Sequence, residues 1–300
     1  MDVRRWWTTG QDPWVKFVEL FLVANGVGAV LSLTLAPGSE DWFTWTVLPD
    51  AGARLLAVMY ANAVLLGVIA LRQPDWPHAR AIFVLITFFA LAATLMTFFN
   101  LAPFKAHPWY HLAYWLGGYA VLVLTAPWVL VREERRHGGR LPVELPLSAV
   151  QRATAALACA GMAAAGIALE ISPPEFSRIW PWEIAPLTGR LLGVWLLAGA
   201  AAYAWTLWDG DWRRARPLFL AAPVTGLLLA LVPLFHQGDV RPDAAGELLV
   251  FYALAAVIAA PGLGLASAPQ PARRAAAGSS RRTASRSPRG RRTATARARR

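Results

Sequence analysis

A short motif occurs twice in this sequence at a fixed spacing, and this repeat constrains the fold more than any other feature. Arg54-Leu-Leu-Ala-Val58 returns as Arg190-Leu-Leu-Gly-Val194, 136 residues further along the chain. The same spacing pairs residues of rarer types: Asp75-Trp76 with Asp211-Trp212, Ala79-Arg80 with Ala215-Arg216, Phe83 with Phe219, and Phe99 with Phe235. Such matches at one ungapped spacing predict two tandem units of the same fold.

Eight long apolar runs follow one another along the chain. Apolar residues make up 56% of the 300 positions, and a run of about 20 such residues can cross the hydrocarbon layer of a bilayer. Backbone groups in lipid must be hydrogen-bonded within their own segment, so each run is predicted to be a helix. The predicted spans are about 15–36, 53–71, 81–101, 109–131, 148–170, 188–208, 217–236 and 247–266. We therefore predict an all-α integral membrane protein with eight transmembrane helices.

The repeat and the spans together divide the chain into four parts. We predict a first four-helix membrane unit at 1–137, a cytoplasmic linker at 138–146, a second four-helix membrane unit at 147–269 and an Arg-rich tail at 270–300. An even number of helices per unit gives both units the same orientation, and such parallel repeats are related by an axis along the membrane normal. The tail lacks aliphatic core-forming residues and is predicted to be disordered.

Arginine residues are concentrated in alternate loops, which predicts the orientation of the protein. Basic residues flank the first span, the second and fourth loops and the sixth loop: Arg4, Arg5, Arg72, Arg80, Arg132, Arg135, Arg136, Arg140, Arg152, Arg213, Arg214 and Arg216. Both termini are therefore predicted to be cytoplasmic, in a multi-pass protein of the plasma membrane. A cleaved signal peptide is the alternative for the first span, but its length and the repeat favour a retained helix.

The net charge of +11 comes from the tail, because eleven arginines follow residue 270 and the preceding residues sum to zero. The predicted partners are the lipid bilayer and, through Arg273 to Arg300, the anionic lipids of the inner leaflet. No nucleic acid is expected. Phosphorylation of Thr283, Ser285 or Ser287 is a second interpretation of the tail, because added phosphate would weaken its attachment to the membrane.

The loop before the second helix of each unit carries an aromatic, a proline and an arginine. The two copies are Trp45, Pro49 and Arg54, and Trp182, Pro186 and Arg190. We interpret each copy as an interfacial aromatic anchor, a proline that opens a helix and an arginine in the first helical turn. The arginine either reaches the headgroup phosphates, as interfacial arginines commonly do, or contacts an anion on the outer face.

The fixed spacing also pairs polar residues of different types. Asn100 corresponds to His236, and His111 corresponds to Glu247. All four lie near the predicted outer ends of their helices, as do the two arginines. They predict a candidate polar site at the outer face between the units, made of Arg54, Asn100, His111, Arg190, His236 and Glu247. A structural ion pair between Arg190 and Glu247 is the plainer interpretation of part of this set.

Two histidines, His107 and His111, have a spacing that can bind a metal or haem on a helix. Pro108 instead predicts a helix start that leaves His107 in a loop, and no further ligand cluster accompanies the pair. We therefore expect neither a metal nor another cofactor. The chain contains no glycine-rich phosphate loop and no nucleophile elbow, so no catalytic residue is assigned.

Polar residues inside the first span allow two interpretations. Glu19 is the only acid well inside a predicted span, and it is either a proton relay or a group that pairs with Lys16 and reaches the interface. Asn25, with Gly26 and Gly28 in the same helix, indicates close helix packing.

The stretch Trp180-Pro-Trp182…Pro186-Leu-Thr-x-Arg190 resembles an element of uncharacterised polytopic membrane proteins of actinobacterial type. The first copy departs from it after Pro49, where Asp50-Ala-Gly-Ala stands in place of Leu-Thr-Gly. This resemblance implies membrane location and no particular activity. From the residues we predict binding or transport of a small molecule or lipid at the outer face between the units. A non-catalytic membrane scaffold or assembly partner is the alternative, and a membrane enzyme with an unrecognised site is a third interpretation.

Overall fold

The computed structural model describes residues 10–34, 43–105, 108–171 and 180–267, which form helices joined by short connections without a β-strand among them. Eight long helices follow in order: α1 Pro13–Thr34, α2 Asp50–Leu71, α3 Trp76–Phe99, α4 Trp109–His137, α5 Ala149–Ile171, α6 Pro186–Asp209, α7 Trp212–Phe235 and α8 Ala245–Ala259. A helical turn at Ala102–Lys105 precedes α4, and α8 continues through Ala260–Gly262 and Leu263–Ala266. The predictions for Arg4, Arg5, His107 and the tail, including Arg273 to Arg300, lie outside the described residues.

All eight helices are long and apolar enough to cross a membrane, with lengths of 22 to 29 residues when α8 is counted through Ala266. The all-α membrane class and the eight spans are therefore confirmed, and the protein is an integral membrane protein. The bounds differ from the apolar runs most clearly in α4, which continues past residue 131 to His137. Gly138 ends α4 because, with φ of 78°, it adopts the left-handed conformation that suits glycine.

The helices of the second half (α5–α8) begin at the spacing of the repeated motif. Each starts 136 residues after its counterpart in the first half (α1–α4). The pairs of first residues are Pro13 and Ala149, Asp50 and Pro186, Trp76 and Trp212, and Trp109 and Ala245. This agreement allows the two halves to be compared position by position.

The two halves also use corresponding helix contacts. Helix α1 packs against α2 as α5 packs against α6, and α3 packs against α4 as α7 packs against α8. Between the halves, α3 contacts α6, and α7 makes the corresponding contact with α2. Helices α2 and α6 are the most buried, whereas α1, α4, α5 and α8 are the most exposed and lie at the periphery.

Contacts between helix termini define two ends of the bundle. We call the end at which α1, α3, α5 and α7 begin the Arg80 end, and the opposite end the Arg190 end. At the Arg80 end, Gln11 donates a hydrogen bond of 3.0 Å to a carbonyl in the last turn of α2. Asp12 accepts bonds of 2.9 and 3.0 Å from Arg132 at the end of α4. The arginine-rich loops predict that this end is cytoplasmic.

The linker is held at the Arg80 end by the Asp211 side chain. Its carboxylate accepts hydrogen bonds from the backbone N–H groups of Glu144 and Leu145, at 2.8 and 2.9 Å. It also caps α7 by accepting from the N–H groups of Arg213 and Arg214, at 2.9 and 3.4 Å. Burial raises the pKa of the Asp211 carboxyl, but these hydrogen bonds and the charge of Arg214 outweigh burial and leave it below its ordinary value. Each Asp-Trp pair in the sequence predicts an aspartate that caps the next helix and a tryptophan at the membrane interface. The cap is confirmed for Asp211.

The other residues of the two Asp-Trp turns depart from the prediction. Asp75, at the position that corresponds to Asp211, makes no side-chain cap. Trp76 and Trp212 were expected at the interface but are only 3% and 4% exposed. Each packs against a phenylalanine two turns further along its own helix, Phe83 or Phe219, with ring centroids 4.9 and 5.2 Å apart. These tryptophans therefore belong to the core of each half.

Candidate functional site

The two tryptophans of the repeated loop element lie inside the protein at the Arg190 end. The side chains of Trp45 and Trp182 are 1% and 0% exposed, respectively. The interpretation that they are anchors in contact with lipid headgroups is therefore wrong. The described part of each loop, residues 43–49 or 180–185, packs against the end of its own half, so that the indole ring covers the core.

Each buried indole belongs to a cluster of three aromatic rings that recurs in the other half. The ring centroids in the two clusters lie 4.6 to 6.1 Å and 5.2 to 5.9 Å apart. The clusters are Phe43, Trp45 and Trp115 in the first half and Trp180, Trp182 and Phe251 in the second. Trp115 and Phe251 are separated by the repeat spacing, so each cluster fastens the loop to the fourth helix of its half.

The two prolines open the second helix of each half, as predicted. Pro49 directly precedes Asp50, the first residue of α2, and Pro186 is the first residue of α6. A proline suits these positions because the first N–H groups of a helix have no partner within the helix.

The two arginines contact different groups. The Arg54 guanidinium donates from Nη1 to the carbonyl of Leu33, at the end of α1. Arg190 donates from Nη1 to Oδ1 of Asn100 over 3.4 Å. Asn100 caps the end of α3, so this second contact joins the two halves. A carbonyl or amide oxygen thus compensates each cation near the start of its helix, where the helix dipole disfavours positive charge.

His111 and Glu247 are engaged within their own halves. His111 Nδ1 lies 2.9 Å from the carbonyl oxygen of Phe43. Glu247 accepts a hydrogen bond of 3.2 Å from Arg241 and forms an ion pair with it. The expected ion pair between Glu247 and Arg190 is therefore wrong. A nearer arginine, in the connection that leads into α8, takes its place.

The six predicted polar side chains do not form one ring. The structure brings Arg190 to Asn100 at one contact between the halves, and it brings Arg54 and His236 to the wall of one groove at the other contact. His111 and Glu247 stay apart from both. The candidate site thus consists of two separate pairs that correspond at the repeat spacing. Arg190 and Asn100 are in direct contact, whereas Arg54 and His236 lie beside open space.

We call this open space the Arg54 groove. It runs between α1 and α2 of the first half and α7 of the second, and it has a volume of about 330 Å³. Arg54 and His236 are its charged or titratable lining residues, and Phe235 at its edge is 77% exposed. The remaining wall is aliphatic apart from Thr34 and consists of Val30, Ala57, Val58, Ala61, Leu228, Leu231 and Val232. The helices that form its walls are long and apolar enough to cross a membrane.

An acid that the sequence interpretation did not assign to the site, Asp239, joins the halves near this groove. Its carboxylate accepts a hydrogen bond of 2.8 Å from the backbone N–H of Ala51, in the first turn of α2. The same carboxylate lies 3.9 Å from the ring of His236. Asp239 therefore caps a helix of the other half. The sequence does not indicate this contact, because a capping residue normally lies next to the helix that it caps.

The seam between the halves is closely packed in the membrane interior. Thr225 donates a hydrogen bond of 2.7 Å to the side-chain oxygen of Asn62, and both residues are buried. Two cavities beside them each have a volume of only about 30 Å³ and are lined mainly by apolar side chains. A space of that size holds one or two water molecules at most.

The burial of Glu19 contradicts part of one of its two sequence interpretations. Its side chain is 0% exposed, and that of Lys16, one turn earlier, is 3% exposed. The interpretation that Glu19 reaches the interface is therefore wrong. It lies in the packed contact between α1 and α2, where a Cβ on Gly67 would be 3.4 Å from the Glu19 carbonyl oxygen.

No family model, curated protein or solved structure matches the chain. The functional interpretation therefore depends on the geometry of the molecule itself.

Proposed function

We propose that the protein binds a phospholipid in the Arg54 groove, with an acyl chain along the aliphatic wall and the phosphate at the Arg54 guanidinium. The observation that carries this proposal is an apolar groove of about 330 Å³ that ends at an arginine in the first turns of a transmembrane helix. Ligand sites are typically apolar clefts of about 300–1,000 Å³ with a few polar groups that fix orientation. The groove has this composition.

The position of Arg54 suits a phosphate. Its bond to the Leu33 carbonyl uses Nη1 and leaves other N–H donors of the guanidinium for a ligand. Arginine binds phosphate through parallel hydrogen bonds, which gives both affinity and orientation. His236 lines the same end of the groove and supplies a further polar contact.

A comparison with the second half supports one groove rather than two. At the repeat spacing, Ala61 in the groove wall corresponds to the larger Leu197, whose side chain lies 2.8 Å from the place that a Cβ on Gly166 would occupy. His236 corresponds to Asn100, which already binds Arg190. The contact of α5 and α6 with α3 therefore uses these positions for packing, whereas the contact of α1 and α2 with α7 leaves them free for a ligand.

The closely packed seam favours binding over passage. The cavities of about 30 Å³ beside Asn62 and Thr225 are too small for a lipid or a drug-sized molecule. A ligand in the Arg54 groove would instead stay at the outer surface of the bundle. This argument narrows the predicted binding or transport role to binding.

Lipid binding in the groove can be tested by filling the groove with the larger side chain that the second half has at the position of Ala61. Ala61→Leu introduces the leucine found at the corresponding position, Leu197, and Arg54→Gln removes the phosphate contact. We expect each variant to retain less phospholipid than the wild type during purification in a mild detergent. The measurement is phospholipid per mole of protein by mass spectrometry. Ala120→Leu, on the exposed face of α4, and Arg213→Gln, exposed at the Arg80 end, are matched controls that should retain the wild-type amount.

Adding back defined lipids distinguishes the chemistry of the headgroup. Equal rebinding of phosphatidylglycerol and phosphatidylethanolamine indicates recognition of the phosphate, and rebinding of phosphatidylglycerol alone indicates recognition of net negative charge. The double variant Arg54→Gln/Arg190→Gln tests whether the second arginine contributes. Wild-type lipid content in both Ala61→Leu and Arg54→Gln would exclude the groove as the binding site.

The proposal includes a membrane orientation, a location and an origin. The arginine-rich loops support cytoplasmic termini in the plasma membrane, with Arg273 to Arg300 at anionic inner-leaflet lipids. The matching helix starts support the duplication of a four-helix ancestor. In this orientation an impermeant maleimide should label Gly238→Cys in intact cells and should not label Arg72→Cys. The reverse pattern would invert the topology.

A non-catalytic scaffold is the second candidate, and the closely packed seam favours it. A protein with neither a channel nor a large internal cavity among its described residues suits assembly with other membrane proteins. Deletion of residues 270–300 tests this alternative. Loss of co-purifying proteins would support a scaffold, whereas an unchanged set would exclude the tail as its docking segment.

A further inference from the structure

A second cavity, distinct from the Arg54 groove, lies inside the first half near the Arg190 end. It has a volume of about 100 Å³ and is enclosed by α1, α2, α4 and the loop that precedes α2. Five aromatic side chains and one amide dominate its wall: Asn25, Phe43, Tyr60, Tyr114, Trp115 and Tyr119. We call it the aromatic cage. Tyr114 is 63% exposed, so the cage reaches the surface between α1 and α4.

Polar groups with unused hydrogen-bonding capacity face this cage. Thr44 lines it, is 4% exposed, and its hydroxyl has no hydrogen-bond partner among the described residues. The hydroxyls of Tyr60 and Tyr119 are 3.2 Å apart and bond to each other. Among the residues that the structure describes, no lysine, arginine, aspartate or glutamate lines the cavity. The described part of the wall therefore combines aromatic rings and neutral oxygens without a formal charge.

Glycine residues make room for the polar side chains of the cage. A Cβ on Gly118 would lie 3.2 Å from the amide oxygen of Asn25, and one on Gly28 would lie 3.4 Å from the hydroxyl of Tyr114. The predicted role of Asn25 and Gly28 in close packing is thus only part of their role. Because Gly28 and Gly118 lack a side chain, a polar group of the opposite helix can lie directly against the helix backbone at the cage wall.

The second half shows that folding does not require these polar groups. At the repeat spacing, the polar residues of the cage have apolar counterparts in the second half. Asn25, Ser32, Tyr60, Tyr114 and Tyr119 correspond to Gly161, Ala168, Leu196, Val250 and Ala255. The second half forms the same helices with the same contacts. A buried polar group is costly unless it is satisfied, so a cage retained in only one half points to a ligand.

We propose that the aromatic cage binds a small alkylammonium cation. Aromatic rings present a negative face that attracts cations, and cages of several rings suit a cation that carries alkyl groups and sheds its water easily. The neutral oxygens of Asn25 and Thr44 can accept hydrogen bonds from a hydroxyl or ammonium group. An anion would find no positive side chain among the described residues of the wall. The inference is independent of the Arg54 groove, because the two cavities lie on different sides of α1 and share no lining residue.

Choline and its uncharged analogue 3,3-dimethylbutan-1-ol provide a direct test. The two molecules have the same shape and differ in charge. We expect isothermal titration of the full chain in phosphatidylglycerol nanodiscs to show choline binding at least about tenfold tighter than the neutral analogue, as expected for several cation–π contacts. Equal affinities, or no binding of choline, would overturn the proposal.

Exposed tyrosines on α4 supply a matched pair of variants. Tyr114→Val introduces the second-half residue and should weaken choline binding by about tenfold, whereas Tyr114→Phe keeps the ring and should retain binding. Tyr110→Val is the control, because Tyr110 is 55% exposed on the same helix and does not line the cage. All of these positions are exposed, so the variants are expected to fold. Wild-type affinity in Tyr114→Val would overturn the proposal.

The source of the cation can be distinguished with a second membrane. If the cage binds a choline headgroup of a lipid, nanodiscs of phosphatidylcholine should compete and reduce the binding of free choline. If it binds a free cation, choline should bind equally in both membranes. Either result supports a cation site and assigns its source.

Discussion

Arg80 of α3 and Asp209 of α6 form an ion pair that joins the two halves at the Arg80 end. Both side chains are almost fully buried, at 1% and 4% exposure. Arg80 also donates to the Gly139 carbonyl of the linker over 3.2 Å and lies 3.7 Å from Glu134 at the end of α4. Asp209 accepts a second charged hydrogen bond, of 2.6 Å, from Arg214. One carboxylate therefore holds two cations from α3 and α7, so the end of α6 is tied to both.

Neutralising Asp209 should destabilise the protein strongly. In Asp209→Asn, the buried cations of Arg80 and Arg214 lose their shared counter-charge. Removal of one partner from a buried ion pair costs about 3–5 kcal/mol. The measurement is the free energy of unfolding in mixed micelles titrated with sodium dodecyl sulfate.

The control for this prediction is an ion pair on the surface of the same end. Glu144 pairs with Arg213 over 3.0 Å, and both side chains are more than half exposed. Glu144→Gln should change the free energy of unfolding by at most about 1 kcal/mol. Equal effects of Asp209→Asn and Glu144→Gln would contradict the structural role assigned to the buried pair.

Asp211 should make stability at the Arg80 end depend on pH. The pKa of its carboxyl lies below the ordinary value because backbone N–H groups and Arg214 outweigh the effect of burial. A group with a depressed pKa stabilises the folded state above its unfolded pKa, of about 3.9 for aspartate, and this contribution is lost as the pH falls through the folded pKa. The difference in unfolding free energy between the wild type and Asp211→Asn should therefore be constant near neutral pH and shrink below about pH 4.

Other carboxyl groups do not confound this measurement. Hydrogen bonds from Arg132 and Arg136 outweigh burial and also lower the pKa of Asp12, but that group is the same in the wild type and in Asp211→Asn, so its contribution cancels. Asp243→Asn, at an exposed position, is the control for removal of one carboxylate and should change the free energy of unfolding by at most about 0.5 kcal/mol. A difference between Asp211→Asn and the wild type that persists unchanged at acid pH would refute the role of the ionised carboxylate.

The sequence predicts the membrane class and the eight helices because apolar runs of this length have few alternatives to a transmembrane helix. It also predicts the spacing between corresponding helix starts. A motif at a fixed distance from one helix start marks the same position where the motif recurs. Arg54 and His236, two members of the predicted polar site, line one groove at the contact between the halves. This part of the candidate site followed from the repeat.

The sequence does not predict which side chains face the protein. Tryptophan suits both a lipid interface and a core, and only the path of the loop places Trp45 and Trp182 inside. The repeat spacing aligns Arg80 with Arg216, but Arg216 is exposed and Arg214 occupies the buried position. Asp209 corresponds to Gln73, so the repeat gives no reason to expect a charge there. Such contacts depend on the packing of helices across the seam.

Gly226 should be intolerant of even one methyl group. A Cβ on Gly226 of α7 would lie 2.6 Å from the carbonyl oxygen of Ala255 in α8, and a backbone atom cannot move aside as a flexible side chain can. Gly226→Ala should therefore destabilise the protein by about 1–3 kcal/mol through overpacking. Chemical unfolding in detergent micelles measures the effect.

The matched control is Gly117→Ala in α4. A Cβ on Gly117 would meet nothing within 4 Å, and alanine favours a helix over glycine by about 0.5–1 kcal/mol. Gly117→Ala should therefore leave stability unchanged or raise it. If both substitutions had the same effect, helix propensity rather than close packing of α7 on α8 would determine the response.

The hydrogen bond between Asn62 and Thr225 should contribute to the association of the two halves in the membrane interior. Thr225→Val removes the hydroxyl that donates to the Asn62 side-chain oxygen. Hydrogen bonds between transmembrane helices contribute about 0.6 kcal/mol on average and up to about 1.7 kcal/mol. A double-mutant cycle with Asn62→Ala, the second-half residue at this position, should yield a coupling energy in that range. Thr225 and Thr206 each donate to a carbonyl of their own helix, over 3.0 and 2.9 Å, but Thr225 also donates to Asn62. The cycle with Thr206→Val in place of Thr225→Val should therefore yield no coupling energy. Equal coupling in both cycles would mean that Asn62 responds to general loosening of the bundle, and the 2.7 Å contact would then have no specific role in holding α2 to α7.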